Sequence, residues 1–300
     1  MIRDVQDFER LKDRALGAYL GLAVGDALGA TVEFMLPREI HYQYGIHREI
    51  VGGGWLKLKP GRVTDDTEMS LALGRALIAS QGWNGNAVAD AFVAWLKAKP
   101  VDVGNTCRRG IQRYMQDGSL KGEMCEGDAG NGAAMRNLPV VLATLLDEDA
   151  FIAQTLAQSH ITHNHPLSDA ATLALGRMTR RMLLGGGKEI KACRAIVNEL
   201  IAKYPKFRFT PYPKRASGYI VDTMQTVLHH FFITDSFESL LVETVNCGED
   251  ADTTGAIAGM LGGALYGASN IPQRWLDKLE LHVLDEIHEQ VEGLLRLSET

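Results

Sequence analysis

Residues 17–29 read GAYLGLAVGDALG, with glycine at positions 17, 21, 25 and 29. A helix turns once every 3.6 residues, so a spacing of four places all of them on one face. Inside a helix each glycine costs about 1 kcal/mol relative to alanine. Four on one stripe are explained if another backbone comes close to that face. A matching stripe occurs in GAIAGMLGGALYG, residues 255–267, with Gly255, Gly259, Gly263 and Gly267. We therefore expect two central helices in close backbone contact. Tight packing alone would account for either stripe. Both, however, lie beside acids, Asp26 and Glu33 at the first, Asp250 and Asp252 at the second. Close packing would then gather distant carboxylates.

The remainder of the chain carries apolar residues at helical spacing. Helices are expected near 8–30, 65–81, 86–97, 105–116, 132–146, 149–159, 168–184, 188–203, 217–232, 236–246, 252–268 and 272–297. Breaks fall at GGGW, KPGR, GGGK and FTPYPKR. Few stretches alternate as strands do, and no Pro/Ser linker divides the 300 residues. The expected fold is a single all-α domain, 1–300. The net charge of −6 argues against a nucleic-acid partner. Cys107, Cys125, Cys193 and Cys247 form no CxxC pair, and free thiols fit a reducing cytoplasm. The two longest apolar runs are under 18 residues, too short for a membrane span.

Two helix starts share an unusual composition. VTDDTEMS, residues 63–70, offers Thr64, Asp65 and Asp66; GEDADTTG, residues 248–255, offers Asp250, Asp252 and Thr253. Adjacent carboxylates about 5 Å apart repel by roughly 3 kcal/mol at an effective dielectric of about 20. Helix capping explains one such cluster, because Thr and Asp accept from free N–H groups. Two clusters of like composition point instead to a hard-cation site. Carboxylate and hydroxyl oxygens suit Mg²⁺ or Mn²⁺ rather than zinc. Four or more carboxylates can hold two such ions about 3.5–4 Å apart.

Other motifs carry weaker signals. DVGNTCRRG, residues 102–110, places Asp102 three positions before Asn105; Asn105 reads as a cap, or Asp102 as a carboxylate free for proton transfer. EGDAGNGAAMR, residues 126–136, runs from a glycine-rich loop into a helix, as a turn or a phosphate cradle. His160, His163 and His165 match no helical zinc spacing, so structural hydrogen bonding is the default, with substrate contact open to His163. KYPKFRFTPYPKR, residues 203–215, mixes basic and aromatic residues. It is a solvated connector or a loop that stacks a nucleobase, and Tyr212 is our candidate for the stacking.

Taken in order, GLAVGDALGATVEF, VTDDTEMSLALG, DVGNTCRRG, EGDAGNGAAMR, ITHNHPLSDA and GEDADTTGAIAGMLGGALYG resemble the ADP-ribosylglycohydrolase family. The resemblance runs from about Ala15 to Trp275. HNHPLSDA, DVGNTCRRG and YIVDTMQTVLHHFF resemble its bacterial, nitrogenase-linked branch. The resemblance implies an all-α fold with a dinuclear Mn²⁺ or Mg²⁺ cleft. It implies hydrolysis of ADP-ribose from an arginine of the nitrogenase iron protein. It maps metal ligands onto Thr64, Asp65, Asp66, Asp250, Asp252 and Thr253, and catalytic acids onto Asp102 and Glu33. It maps the substrate pocket onto Asn105, Glu126, the loop with Gly127, Gly130, Asn131 and Gly132, and His163. It also implies a PII-type signalling protein as partner, with recruitment to an ammonium-transporter complex. Alternatives are another ADP-ribosylated target, or an ADP-ribose-binding protein without catalysis.

Overall fold

In the computed structural model of the chain, which describes residues 5–299, fourteen α-helices are present among the described residues, and no strand. They are α1 (Val5–Gly29), α2 (Pro37–Tyr44), α3 (Asp65–Ala79), α4 (Gly85–Lys97) and α5 (Asn105–Asp117). There follow α6 (Leu138–Ala143), α7 (Glu148–His160), α8 (Pro166–Leu184), α9 (Glu189–Lys203) and α10 (Ile220–Ile233). The last four are α11 (Phe237–Val245), α12 (Ala251–Tyr266), α13 (Gln273–Leu276) and α14 (Leu281–Leu297).

The glycine stripes face each other. α1 and α12 run antiparallel, with Gly17 against Gly263, Gly21 against Gly259, Gly25 against Gly255, and Gly29 against Ala251. A Cβ added at Gly25 would collide with the Gly255 carbonyl, and one at Gly259 with the Gly21 carbonyl. Around this pair, α3 packs on α4 and α14, α8 on α7, α9 and α12, and α10 on α8, α11 and α12. One continuous apolar core runs from Leu11 to Leu295, as expected for one domain.

Four segments differ from the sequence expectation. Residues 132–136 are turns rather than the start of a long helix, because the Asn131 carbonyl accepts from both Ala134 and Met135 and Pro139 fixes a new start. Residues 217–219 are extended, and 129–131 pair with 218–220 as an isolated antiparallel bridge. The segment 272–297 divides into α13 and α14, with Trp275 buried and its indole bonded to the Arg48 carbonyl. The short α2 was not expected; it buries only Ile40 and so leaves almost no periodic trace. No described helix is long and apolar enough to cross a membrane.

Candidate active site

The antiparallel register decides where the acids go. Because Gly29 meets Ala251, the turn after α1 lies against the start of α12. Backbone bonds lock the two: Phe34 N–H donates to the Glu249 carbonyl at 2.6 Å, and Glu249 N–H to that of Met35 at 2.9 Å. The start of α3 joins them through Asp26. Its fully buried carboxylate accepts from the Thr64 amide at 3.0 Å, the Thr64 hydroxyl at 2.9 Å, the Thr67 amide at 3.2 Å and the Thr67 hydroxyl at 2.5 Å. Asp26 thus caps α3 from another helix. Sequence reasoning noted this acid but missed that task; its signal was an ionisable residue inside an otherwise apolar stripe.

Side-chain capping does not account for the acidic clusters. Thr64 and Asp250 stand at the N-cap positions of α3 and α12, yet neither side chain accepts from a backbone N–H of its own helix. The Thr64 hydroxyl instead lies 3.3 Å from Asp66 and 3.5 Å from Asp252, and Thr253 donates to Asp66 at 3.3 Å. Asp250 accepts from Asn131 Nδ2 at 2.5 Å, and Asp65 from the Gly104 amide at 3.2 Å. Glu33 accepts from the Trp55 indole at 2.6 Å. Asp102 accepts from the Val103 amide at 2.7 Å. Glu33, Asp102 and Asp252 each present a carboxylate oxygen within 4.8 Å of the other two. Asp66 Oδ1 is buried with no hydrogen-bond partner among the described residues.

Such crowding disfavours the charged forms. Desolvation, then the charge of Asp102, pushes Asp65 up to about 8. Desolvation also takes Glu33 up to about 8, against the Trp55 hydrogen bond. Asp250 and Asp26 rise to about 6 by burial, and Asp66 and Asp252 are raised well above the ordinary carboxylate range. Protons or cations must supply the missing positive charge. The donor set is all oxygen, the two aspartates at each helix start are turned inward, and Asp66 keeps an unpartnered oxygen. These residues fit a hard divalent cation.

Glu33, Asp65, Asp102, Asp250, Asp252 and Thr253 line one cavity of about 540 Å³. Asn105, Gly130, Asn131, Gly132 and His163 also lie on its wall. Asn105 does not cap α5; Gly104 holds that position, and the Asn105 amide has no bond to the described residues. The N–H groups of Gly130 and Gly132 likewise make no bond to them. Asn131 is committed to Asp250 and Thr223. Thr64 and Asp66 lie behind the wall.

Other candidates stand elsewhere. Glu126, at the start of a 3₁₀ turn (Glu126–Asp128), is 95% exposed and lies 3.5 Å from His165. Gly127 does not line the cavity; its carbonyl lies 3.5 Å from the Thr106 hydroxyl. The Tyr212 ring stacks on His229 at 4.5 Å, and its hydroxyl meets Thr226 and Cys247. Phe207 and Phe209 are core residues. The three histidines bind separate partners: His160 to Asp169, His163 to Thr162, His165 to the Leu167 amide. A second groove of about 400 Å³, lined by Glu126, His165, Lys203, Tyr204, Lys206 and Tyr219, lies across the 130–219 bridge. Tyr219 and Trp55 were missed from sequence. Tyr219 adjoins the extended segment that the helical expectation concealed, and Trp55 sits in a loop read only as a break.

The profile of the ADP-ribosylglycohydrolase family matches residues 7–300. The chain belongs to this family. ADP-ribosyl-[dinitrogen reductase] glycohydrolase of Rhodospirillum rubrum is 60% identical over 286 residues, 95% of this chain and 97% of that one. ADP-ribosylarginine hydrolase Tri1 of Serratia proteamaculans is 34% identical, over 89% of this chain and 75% of its own length. A solved structure described as an ADP-ribosylglycohydrolase-related protein complex superposes with a TM-score of 0.84 at 34% identity, covering 97% of this chain and 99% of the other. The all-α architecture is therefore the ADP-ribosylglycohydrolase fold.

Proposed function

We propose that the chain hydrolyses ADP-ribose from an arginine side chain of the nitrogenase iron protein, and so reactivates it. The observation that carries this is the convergence of Glu33, Asp65, Asp102, Asp250 and Asp252 on one cavity, with Asn105 and His163 on the same wall. Support for the target comes from the 60% identity to the R. rubrum glycohydrolase over nearly both full lengths.

Thr64, Asp65, Asp66, Asp250, Asp252 and Thr253, with Glu33 beside them, would hold two Mn²⁺ or Mg²⁺ ions, which supply positive charge to fix ribose hydroxyls and to acidify water. The chain's own groups do the rest. The bond from the anomeric carbon to the guanidine nitrogen breaks, and water oxygen joins that carbon. The water's proton reaches the departing nitrogen through Asp102, half-buried and raised in pKa by desolvation. Free N–H groups at Gly130 and Gly132 suit the diphosphate. The groove beyond them, with Tyr204 and Tyr219, suits the nucleobase. In this reading Glu126 borders the nucleobase groove, and Tyr212, packed on His229, does not line it.

The reading also takes a PII-type signalling protein as regulator, acting in the cytoplasm and drawing the enzyme to an ammonium-transporter complex. The motif resemblance to the nitrogenase-linked branch supports this. A second target class, another ADP-ribosylated arginine protein, is favoured by the 34% identity to Tri1. The test is incubation with ADP-ribosylated iron protein and Mn²⁺, followed by intact mass. Loss of one ADP-ribosyl group is expected. An unchanged iron protein, with turnover of other ADP-ribosylarginine proteins, would transfer the function to the second class.

A further inference from the structure

Arg136 is fully buried and has no carboxylate partner among the described residues. Its Nε donates to Gln158 Oε1 at 2.9 Å, and its Nη2 donates to the Gln158 carbonyl at 2.9 Å and to Thr162 Oγ1 at 2.8 Å. Phe92 lies under the guanidinium at 4.6 Å, and Cys107 Sγ stands 3.6 Å from Nη1. The Thr162 oxygen is in turn 2.7 Å from His163 Nδ1.

Donor counting fixes the direction of this chain. A guanidinium has donors and no acceptor, so Thr162 Oγ1 accepts from Arg136. The Thr162 hydroxyl still carries one proton, and among the described residues the only acceptor in reach is His163 Nδ1. If Nδ1 carried the proton instead, the hydroxyl would be a buried donor with nowhere to donate. The opposite nitrogen, Nε2, makes no bond to the described residues and packs beside Gly130 and Gly132 on the cavity wall. The backbone of His163 is pinned separately, by its amide bond to the Ser159 carbonyl at 2.7 Å. Burial and the charges of Arg136 and Arg109 keep the ring neutral.

We infer that Arg136 and Thr162 form a positioning relay that holds His163 in the Nε2–H tautomer, so that it presents a fixed N–H donor to an acceptor oxygen of the bound ligand. Arg136 and Thr162 touch no ligand; they act through His163. The identity of that ligand as ADP-ribose rests on the function proposed above, whereas the tautomer does not.

The test uses the intact protein labelled with ¹⁵N-histidine. Long-range ¹H–¹⁵N correlations report which ring nitrogen carries the proton, with the His163 signals assigned by their loss in His163→Gln. Wild-type protein should show a single Nε2–H form, and a mixed or Nδ1–H ring would overturn the relay. Thr162→Val should give a mixture of tautomers and weaken ADP-ribose, measured by calorimetry, about tenfold, the worth of one hydrogen bond. Thr162→Ser should restore both. A pure Nε2–H ring in Thr162→Val would also overturn the proposal, and unchanged ADP-ribose affinity would remove its ligand-facing half. Correct tautomers alongside an inert iron-protein assay would count against the assigned reaction and not the relay.

Discussion

Asp66 Oδ1 is a carboxylate oxygen sealed from water and left without a donor. Such an atom costs about 1–3 kcal/mol or more in an otherwise satisfied interior. Its neighbours cannot relieve it, because Thr64 and Thr253 already approach Oδ2. A cation can. Asp102 differs: it is only half-buried, keeps one short amide bond, and faces the cavity. We expect Asp102→Asn to fold and bind Mn²⁺ normally while turnover falls by at least about 10². Steady-state kinetics beside Mn²⁺ titration check this, and near-normal turnover would exclude Asp102 from proton transfer. Trp55 gives a subtler case. Its ring is half-exposed and packs at a tilt against Phe34, with centroids 5.2 Å apart, so Trp55→Phe should fold. Loss of the indole donor to Glu33 should weaken Mn²⁺ by about tenfold. Calorimetric titration measures it, and unchanged affinity would leave Glu33 outside the metal site.

At the scale of elements, the α1–α12 contact sets the site, because sliding or separating these helices would pull Glu33 away from Asp252. Gly25→Ala puts a methyl into the Gly255 carbonyl. With no flexible side chain to move aside, the backbones must part, and we expect a loss of at least about 2 kcal/mol in urea unfolding. Mn²⁺ affinity should fall with it, although residue 25 touches no acid ligand. A Gly25→Ala protein as stable as the parent would mean that the helices have room to spare. This contact was legible in the sequence because a four-residue repeat is a property of one helix at a time. The two aspartate clusters were legible for the same reason: each is a local run at a helix start. What stayed hidden were pairings across the fold. Asp26 caps α3 from 38 positions away in the chain, the indole of Trp55 reaches Glu33, and Tyr219 lies on a short extended segment paired with the glycine loop. None of these has a period. Tyr212 illustrates the converse, since an aromatic residue in a basic loop looked like a ligand platform and packs on His229 instead.

For the whole molecule, the acids couple stability to pH and to metal. Unfolded carboxylates titrate near 4, whereas Asp26 and Asp250 are raised to about 6 and Asp65 and Glu33 to about 8 in the folded, metal-free chain. Between these limits the folded state holds more protons than the unfolded state. The slope of unfolding free energy against pH is then negative. With respect to these groups, metal-free protein should be most stable at or below about pH 4, and should lose that contribution as pH rises from there through 6 and then 8. Divalent ions prefer the ionised carboxylates, so they compete with protons and reverse the trend. We therefore expect the melting temperature of chelator-treated protein to fall from pH 5 to pH 8.5. The rise in melting temperature on adding Mn²⁺ should grow over the same window, with protons released on binding. Thermal melts at a series of pH values, with and without Mn²⁺, provide the measurement. A metal-free protein that gained stability over this range would show that the carboxylates are already ionised and balanced by the protein itself, and the case for cations at these helix starts would fail.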